Sequence, residues 1–452
     1  MAHGNSPVNL QVSISNRQIL KIALPIAASI LVPQINFITN NIFLGGLGVQ
    51  ALAVAGITGV YYLIFAVIGS GLNNGLQALI SRRAGENRIN EIGNLFNQGL
   101  RVALAFALLG MLVTYFIAPS VLKWSLHNAE NVQMAVQFLY IRIWGLPFLF
   151  IYQMRNALLV GTNQSQYLVI GTLAETVTNI FLDYGLIYGH FGLMKMGFNG
   201  AALASVIAEA TGLVVIFGVM RWKGISRQLR LFRDFKFDRA NTRLIVVQSA
   251  PLIAQHVISI VTWEFFYILV EHHGELDLAI SNTMRNIFGL FGCVTWAFAA
   301  TSNTMVSNVI GQRLQHRVIE LIWKIVRLSL GFAVFVYILL NLFPRGFLSI
   351  YGQGDIFITA AIPVVRVVSA ALILQSISTI WLNAVTGTGN SVMNLFSESL
   401  AILFYSIYVY VVLEVLKLPI TIGWMSEWLY WIVLFVPSFW YMMSGKWKNK
   451  KI

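Results

Sequence analysis

The chain has 452 residues, of which 57% are hydrophobic and 10% charged, with a formal net charge of +13 at pH 7. A soluble domain carries about 25% charged residues, so this chain cannot cover itself with a polar surface and a water-soluble globular fold is excluded. Its only cysteine, Cys293, excludes an intrachain disulfide and a cysteine metal site.

The opening MAHGNSPVNLQVSISNRQ is polar and lacks a charged n-region with a cleavage site, so no signal peptide is expected. Apolar runs follow near 18–44, 52–80, 94–118, 132–160, 166–190, 198–222, 242–270, 277–310, 321–344, 357–386, 392–416 and 423–445. They read as twelve membrane-spanning helices of about 20 residues or more. Uninterrupted runs, rather than alternating ten-residue segments, exclude an outer-membrane barrel. Pro25, Pro33 and Pro251 are expected to interrupt the first and seventh spans.

Basic residues sort onto one side. Arg82, Arg83 and Arg88 follow span 2. Arg221, Lys223, Arg227, Arg230, Arg233, Lys236, Arg239 and Arg243 fill the central loop. Arg313 and Arg317 follow span 8, and Lys446, Lys448, Lys450 and Lys451 form the tail. The opposite loops hold little beyond Lys123, Lys195, Arg345 and Lys417. The positive-inside rule then places both termini in the cytoplasm, and the expected location is the inner (plasma) membrane. The excess charge is read as topology and contact with lipid headgroups, not as nucleic-acid binding.

The chain also repeats. Pro25 and Pro251, Gly48 and Gly274, Ser81 and Ser307, Gly85 and Gly311, Thr162 and Thr388, and Ser165 and Ser391 are pairs at one constant offset of 226. Each half holds six spans, and an even count leaves both halves in the same orientation. The expected fold is an all-α polytopic membrane protein with twelve transmembrane helices. They form two six-helix bundles related by a pseudo-twofold axis along the membrane normal. The divisions are 1–220, a basic cytoplasmic linker at 221–243, and 244–452. Two equivalent bundles around a cleft suit alternating access.

Single polar residues inside the spans are the candidate functional groups. Asp183 lies in NIFLDYGLIYGHFGLMKMGFNGAA (179–202), within an apolar run. Glu175, Asn179 and Asp183 recur every fourth residue and so form one stripe on a helix. Water is excluded at such a depth, which disfavours a charged carboxyl and suits proton exchange. The second half carries Glu264, Arg285, Arg366 and Glu398. Glu264 or Glu271 is the expected partner of Arg285. Glu398 is a rough counterpart of the Glu175 stripe under the 226 offset. Arg142 and Arg366 lie near the outer ends of spans 4 and 10, where snorkelling accounts for them. His256 is expected to be a satisfied interior histidine, with a proton relay as the alternative. Tyr61, Tyr62, Tyr152 and Trp381 are candidates to face the cleft. No P-loop or HExxH motif occurs, so neither ATP-driven export by this chain alone nor a membrane-embedded enzyme is expected.

Several motifs resemble the multidrug and toxic compound extrusion (MATE) transporters, and their order covers nearly the whole chain. They are LPIAASILVPQINFITNNIFLGGLG (24–48), SRRAGENR (81–88), the 179–202 segment, LAISNTMRNIFGL (278–290), and the paired turns GTNQS (161–165) and GTGNS (387–391). The resemblance implies a secondary antiporter that expels small organic cations in exchange for H⁺ or Na⁺. It implies no cofactor beyond that coupling ion, and a monomer in contact with membrane lipid. It also implies a cation site in which Asn156 takes the place of the fourth-helix Asn and Asn179 and Asp183 those of the fifth-helix pair. The first-helix Asp of many members falls at Asn40, and a tenth-helix acid of some falls at Gln375. An amide cannot release a proton, so the titrating role shifts to Asp183. The alternative within the superfamily is a flippase for a lipid-linked saccharide.

Overall fold

A computed structural model of the protein describes residues 10–126, 128–233 and 236–450. The described residues form α1 (Asn16–Gly45), α2 (Val49–Gly85), α3 (Ile89–Ser125), α4 (Ala129–Arg142), α5 (Leu146–Gly161), α6 (Leu168–Tyr188), α7 (Phe198–Trp222) and α8 (Ile225–Gln228). They continue with α9 (Arg239–Glu271), α10 (Glu275–Gly311), α11 (Val318–Leu342), α12 (Pro344–Ser349), α13 (Gly354–Thr388), α14 (Ser391–Val409), α15 (Ile420–Gly423) and α16 (Ser426–Met443). Among these residues there is no strand. Among the described residues ten helical stretches are long and apolar enough to cross a membrane. The other two expected spans are the helices α6 and α10. Glu175, Asn179 and Asp183 break the apolar run of the first, and Asp277 and Arg285 with repeated Ser, Thr and Asn break that of the second. The residues that make these helices functional candidates are therefore the ones that lower their hydropathy. Residues 1–9 and Lys451, on which part of the signal-peptide and tail readings falls, lie outside the described residues.

The chain groups into two compact units. Among the described residues the first comprises Leu10 and 28–249, the second 11–27 and 250–450. This differs from a division at the central linker, because α1 and α9 each belong to both units. α1 changes unit between Ala27 and Ala28, and α9 between Ser249 and Ala250. Pro25 and Pro251 lie within two residues of those points. The expectation that these prolines interrupt the spans is not met. Both helices run on through them. A proline removes one ladder bond and clashes with the carbonyl four residues back. A long helix packed on its neighbours absorbs that loss and continues.

The 11–15 segment joins the second unit through hydrogen bonds. Val12 N donates to Asn308 Oδ1 (3.1 Å), Gln312 Nε2 to Val12 O (3.0 Å) and Lys324 Nζ to Ile14 O (3.2 Å). The linker docks on the first unit at the start of α3. Asn94 Nδ2 donates to Asp238 Oδ2 (2.8 Å), Gln98 Nε2 to Lys236 O (2.9 Å) and Phe232 N to Asn97 Oδ1 (3.3 Å). A Cβ at Gly93 would overlap the Leu229 and Arg230 carbonyls, so only glycine admits the linker there.

The internal repeat appears in the backbone as well. Gly48 and Gly274, which precede α2 and α10, have φ/ψ of 113°/171° and 114°/173°. Asn87 and Arg313 take φ of 57° and 63° in the equivalent next turn. Side chains with a Cβ rarely adopt the first conformation, which explains why both positions hold glycine.

Candidate functional site

In the first unit, α6 is cut to measure by its ends. A 3₁₀ turn at Ser165–Tyr167 leads into it, and Gly189 at φ 83° closes it. Asn179 and Asp183 lie on one face, 1% and 0% exposed. Among the described residues neither Asp183 oxygen nor either polar atom of the Asn179 amide has a hydrogen-bond partner. A buried carboxylate normally gathers two or three donors or a cation. Here the acid and the amide one turn away are left open together. Asn40 on α1 is half-buried, and its carbonyl oxygen is also unpartnered.

Asn156 is bonded to its neighbour on α5. Its Oδ1 accepts from Arg155 Nη2 at 2.8 Å, so that carbonyl is engaged. Arg155 is fully buried and lies 4.2 Å from the centroid of the Tyr152 ring. Glu175, one turn before Asn179 on α6, lies near this charged group. Its electrostatic neighbours are Glu209, Arg155 and Arg142. Small residues make the room. A Cβ at Gly212 would come within 3.3 Å of Glu175 Oε2, and one at Gly171 within 2.5 Å of Arg155 Nη1.

Arg142 does not snorkel. Its guanidinium makes two bonds to Glu209 on α7, at 2.5 and 3.0 Å, and sits 3.8 Å from the Tyr62 ring centroid. Both side chains are nearly buried, at 12% and 13% exposure. The 3₁₀ turn at Ile143–Gly145 follows at once, and a Cβ at Gly145 would overlap both charged groups. The planar fork of Arg suits a bidentate carboxylate. Reading the arginine by its depth alone missed Glu209, 67 residues further on. Arg155 and Glu209 were both detectable as lone charges in apolar spans.

In the second unit, Arg285 meets Glu264 at 3.3 Å, as expected, and lies against Trp263 and Tyr267. His256 Nδ1 bonds Leu252 O on its own helix at 2.7 Å, a satisfied interior histidine. Arg366 is exposed. Gln375 is 1% exposed with an unpartnered carbonyl oxygen. Glu398 is 2% exposed and accepts from Tyr430 Oη (2.5 Å) and Gln255 Nε2 (3.3 Å). Glu427, which the sequence reading did not single out, is 6% exposed on α16. Trp381 does not face a cleft. It is fully buried against Trp323, Phe435 and Phe439. Among the described residues no three His, Cys, Asp or Glu side chains gather as metal ligands would.

A multi-pass helical membrane protein with an unpaired acid buried in one of its two units is the class these features define. The chain belongs to the MatE family. The family model matches twice, over residues 25–185 and 251–417, and the two matches begin at the equivalent prolines of the repeat. A probable multidrug resistance protein NorM from a Synechocystis species is 26% identical over 216 residues, which cover 48% of this chain and 47% of that one. A probable NorM from Rhizobium meliloti is 23% identical over 315 residues, 69% of this chain and 67% of that one. The chain thus spans about half to two thirds of the length of these relatives. A MOP superfamily transporter from Pyrococcus furiosus has the same fold, with a TM-score of 0.88 at 16% identity over 100% of both chains. A crystal structure of MATE in complex with MaL6 gives 0.89 at 17% identity, over 99% and 100%.

Proposed function

We propose that this chain exports small organic cations and takes up H⁺ in return, with Na⁺ as the alternative coupling ion. The observation that carries the reading is Asp183, fully buried and without a partner on either oxygen, one turn from an equally open Asn179. Such a carboxylate is uncompensated when charged, so binding a proton or a cation removes a large penalty. That is the property a coupling site needs: its occupancy changes the free energy of the helix that carries it. Asn40 would contribute a carbonyl oxygen and no proton. The multidrug-resistance names of the NorM relatives support drug export as the direction of transport.

The chain would act as a monomer in the inner membrane with both termini cytoplasmic, in contact with lipid and not nucleic acid. The orientation rests on the Lys/Arg asymmetry of the loops. A lipid-linked saccharide flippase is the second reading within this superfamily, but buried free carboxylates match a cationic cargo better than an anionic one.

The test is dye efflux measured in everted vesicles, with the proton and the sodium gradients collapsed separately. Loss of transport on collapse of one gradient identifies the coupling ion. No movement of any cation under either gradient contradicts export of cations.

A further inference from the structure

The second unit holds a carboxylate whose surroundings are built for two protonation states. We propose that Glu398 is a second proton-binding site, read out by rotation of the Gln255 carboxamide. Glu398 lies on α14, 2% exposed, with no ion pair among the described residues. Gln255 Nε2 from α9 donates to its Oε2 at 3.3 Å, and Tyr430 Oη from α16 donates to its Oε1 at 2.5 Å. The oxygen of the same amide, Gln255 Oε1, is buried and has no partner among the described residues. An amide presents a donor on one side and an acceptor on the other. With Glu398 charged, the donor side faces it, as observed. A proton taken from water onto Glu398 Oε2 turns that oxygen into a donor. Half a turn of the amide then brings Gln255 Oε1 forward to accept it. The atom that is unsatisfied in the charged state is the one needed in the neutral state.

The neighbouring groups supply no fixed positive charge that would lock the carboxylate in its charged form. From α9 the site faces Ser259 and Gln255, while His256 is bonded to Leu252 O. From α16 it faces Tyr430, with Glu427 one turn earlier adding negative charge nearby. Tyr405 on α14 and Tyr267 on α9 lie beside Glu427, and Arg285 near Tyr267 is held by Glu264 at 3.3 Å. α13 packs on α16 through Ser378, whose hydroxyl donates to Trp431 O at 2.7 Å. Gln375 of α13 and Glu398 of α14 are separate groups on separate helices, so the site does not depend on a tenth-helix acid.

The assignment rests on the reading above only for what the proton is used for. Infrared difference spectra of the purified full-length chain, recorded across steps of pH, test the binding itself. We expect a carboxylic C=O band in the wild type that is lost in Glu398→Gln and kept in Asp183→Asn. Glu398→Asp should retain the band at a shifted frequency, which separates loss of the site from loss of the fold. Gln255→Leu should move the pH at which the band appears. A spectrum unchanged by Glu398→Gln overturns the proposal, and so does a Glu398 band indifferent to Gln255→Leu. Proton release on adding tetraphenylphosphonium is read in parallel. Its absence in the wild type would count against proton coupling by the chain while the band still decides on Glu398.

Discussion

Charged side chains at membrane depth play two different parts in this protein. Arg142 and Glu209 compensate each other through a bidentate pair, and Asp183 has nothing to compensate it. The pair should therefore be structural. Breaking one partner of a buried pair costs about 3–5 kcal/mol, while replacing both with apolar residues of similar volume is often neutral. We expect Arg142→Met to lower the thermal unfolding midpoint in detergent strongly, and the double substitution with Glu209→Leu to restore most of it. Equal loss in both would show that the charges matter beyond their mutual pairing. Asn40→Asp is the converse test, since it adds a carboxyl at the position where many family members carry one. If position 40 belongs to the coupling site, the pH or sodium profile of efflux changes. An unchanged profile places Asn40 outside the site. Asp183 was legible in the sequence because it is a lone acid in an apolar run. Arg155 and Glu209 obey the same rule but lack a motif around them. Their pairing depends on which helices pack together, and sequence spacing does not carry that information. The engagement of Asn156 by the arginine beside it was hidden for a similar reason, because two adjacent residues on a helix point in different directions unless a long side chain folds back.

At the scale of elements, the linker is anchored rather than merely long. Asp238 caps α9 by accepting from Asn241 N at 3.0 Å, and it also receives the Asn94 and Asn241 amides at 2.8 Å each. The backbone bond from Asn241 is the main reason its carboxyl is held below the ordinary aspartate range. A depressed folded pKa gives stability that is present above the unfolded value, about 3.9, and is lost as pH falls through the folded one. Protease sensitivity of the 223–238 segment should therefore rise on acidification below about pH 4, and Asp238→Asn should remove that dependence. Resistance that persists in wild type at low pH would mean the cap does not hold the linker. Gly93→Val should release the same segment at neutral pH, because the added side chain meets the Leu229 and Arg230 carbonyls. The basic composition of the linker was plain from the sequence. Its docking was not, since the partners Asn94, Asn97 and Gln98 are common polar residues with no pattern of their own.

Across the whole molecule, the repeat was the most legible feature. A constant offset of 226 in the sequence returns as matched backbone conformations at Gly48 and Gly274 and as two matches of one family model. The membership of α1 and α9 in both units was not legible, because unit membership depends on which side chains touch and not on where the linker lies. The orientation can be checked independently of the family. Single cysteines at positions 230 and 272, in a Cys293→Ala background, would be treated with an impermeant maleimide on intact cells. Labelling at 272 and protection at 230 is expected from the basic-loop asymmetry, and the reverse pattern would invert the topology and the direction of transport with it. The proposed coupling of an ion to the movement of an organic cation rests on Asp183. It is tested most directly by tetraphenylphosphonium transport in proteoliposomes under an imposed ion gradient, comparing wild type with Asp183→Asn. Gradient-driven transport is expected in the wild type and none in the variant, with both proteins unfolding at similar temperatures. Wild-type transport by the Asp183→Asn protein under the same gradient would contradict it.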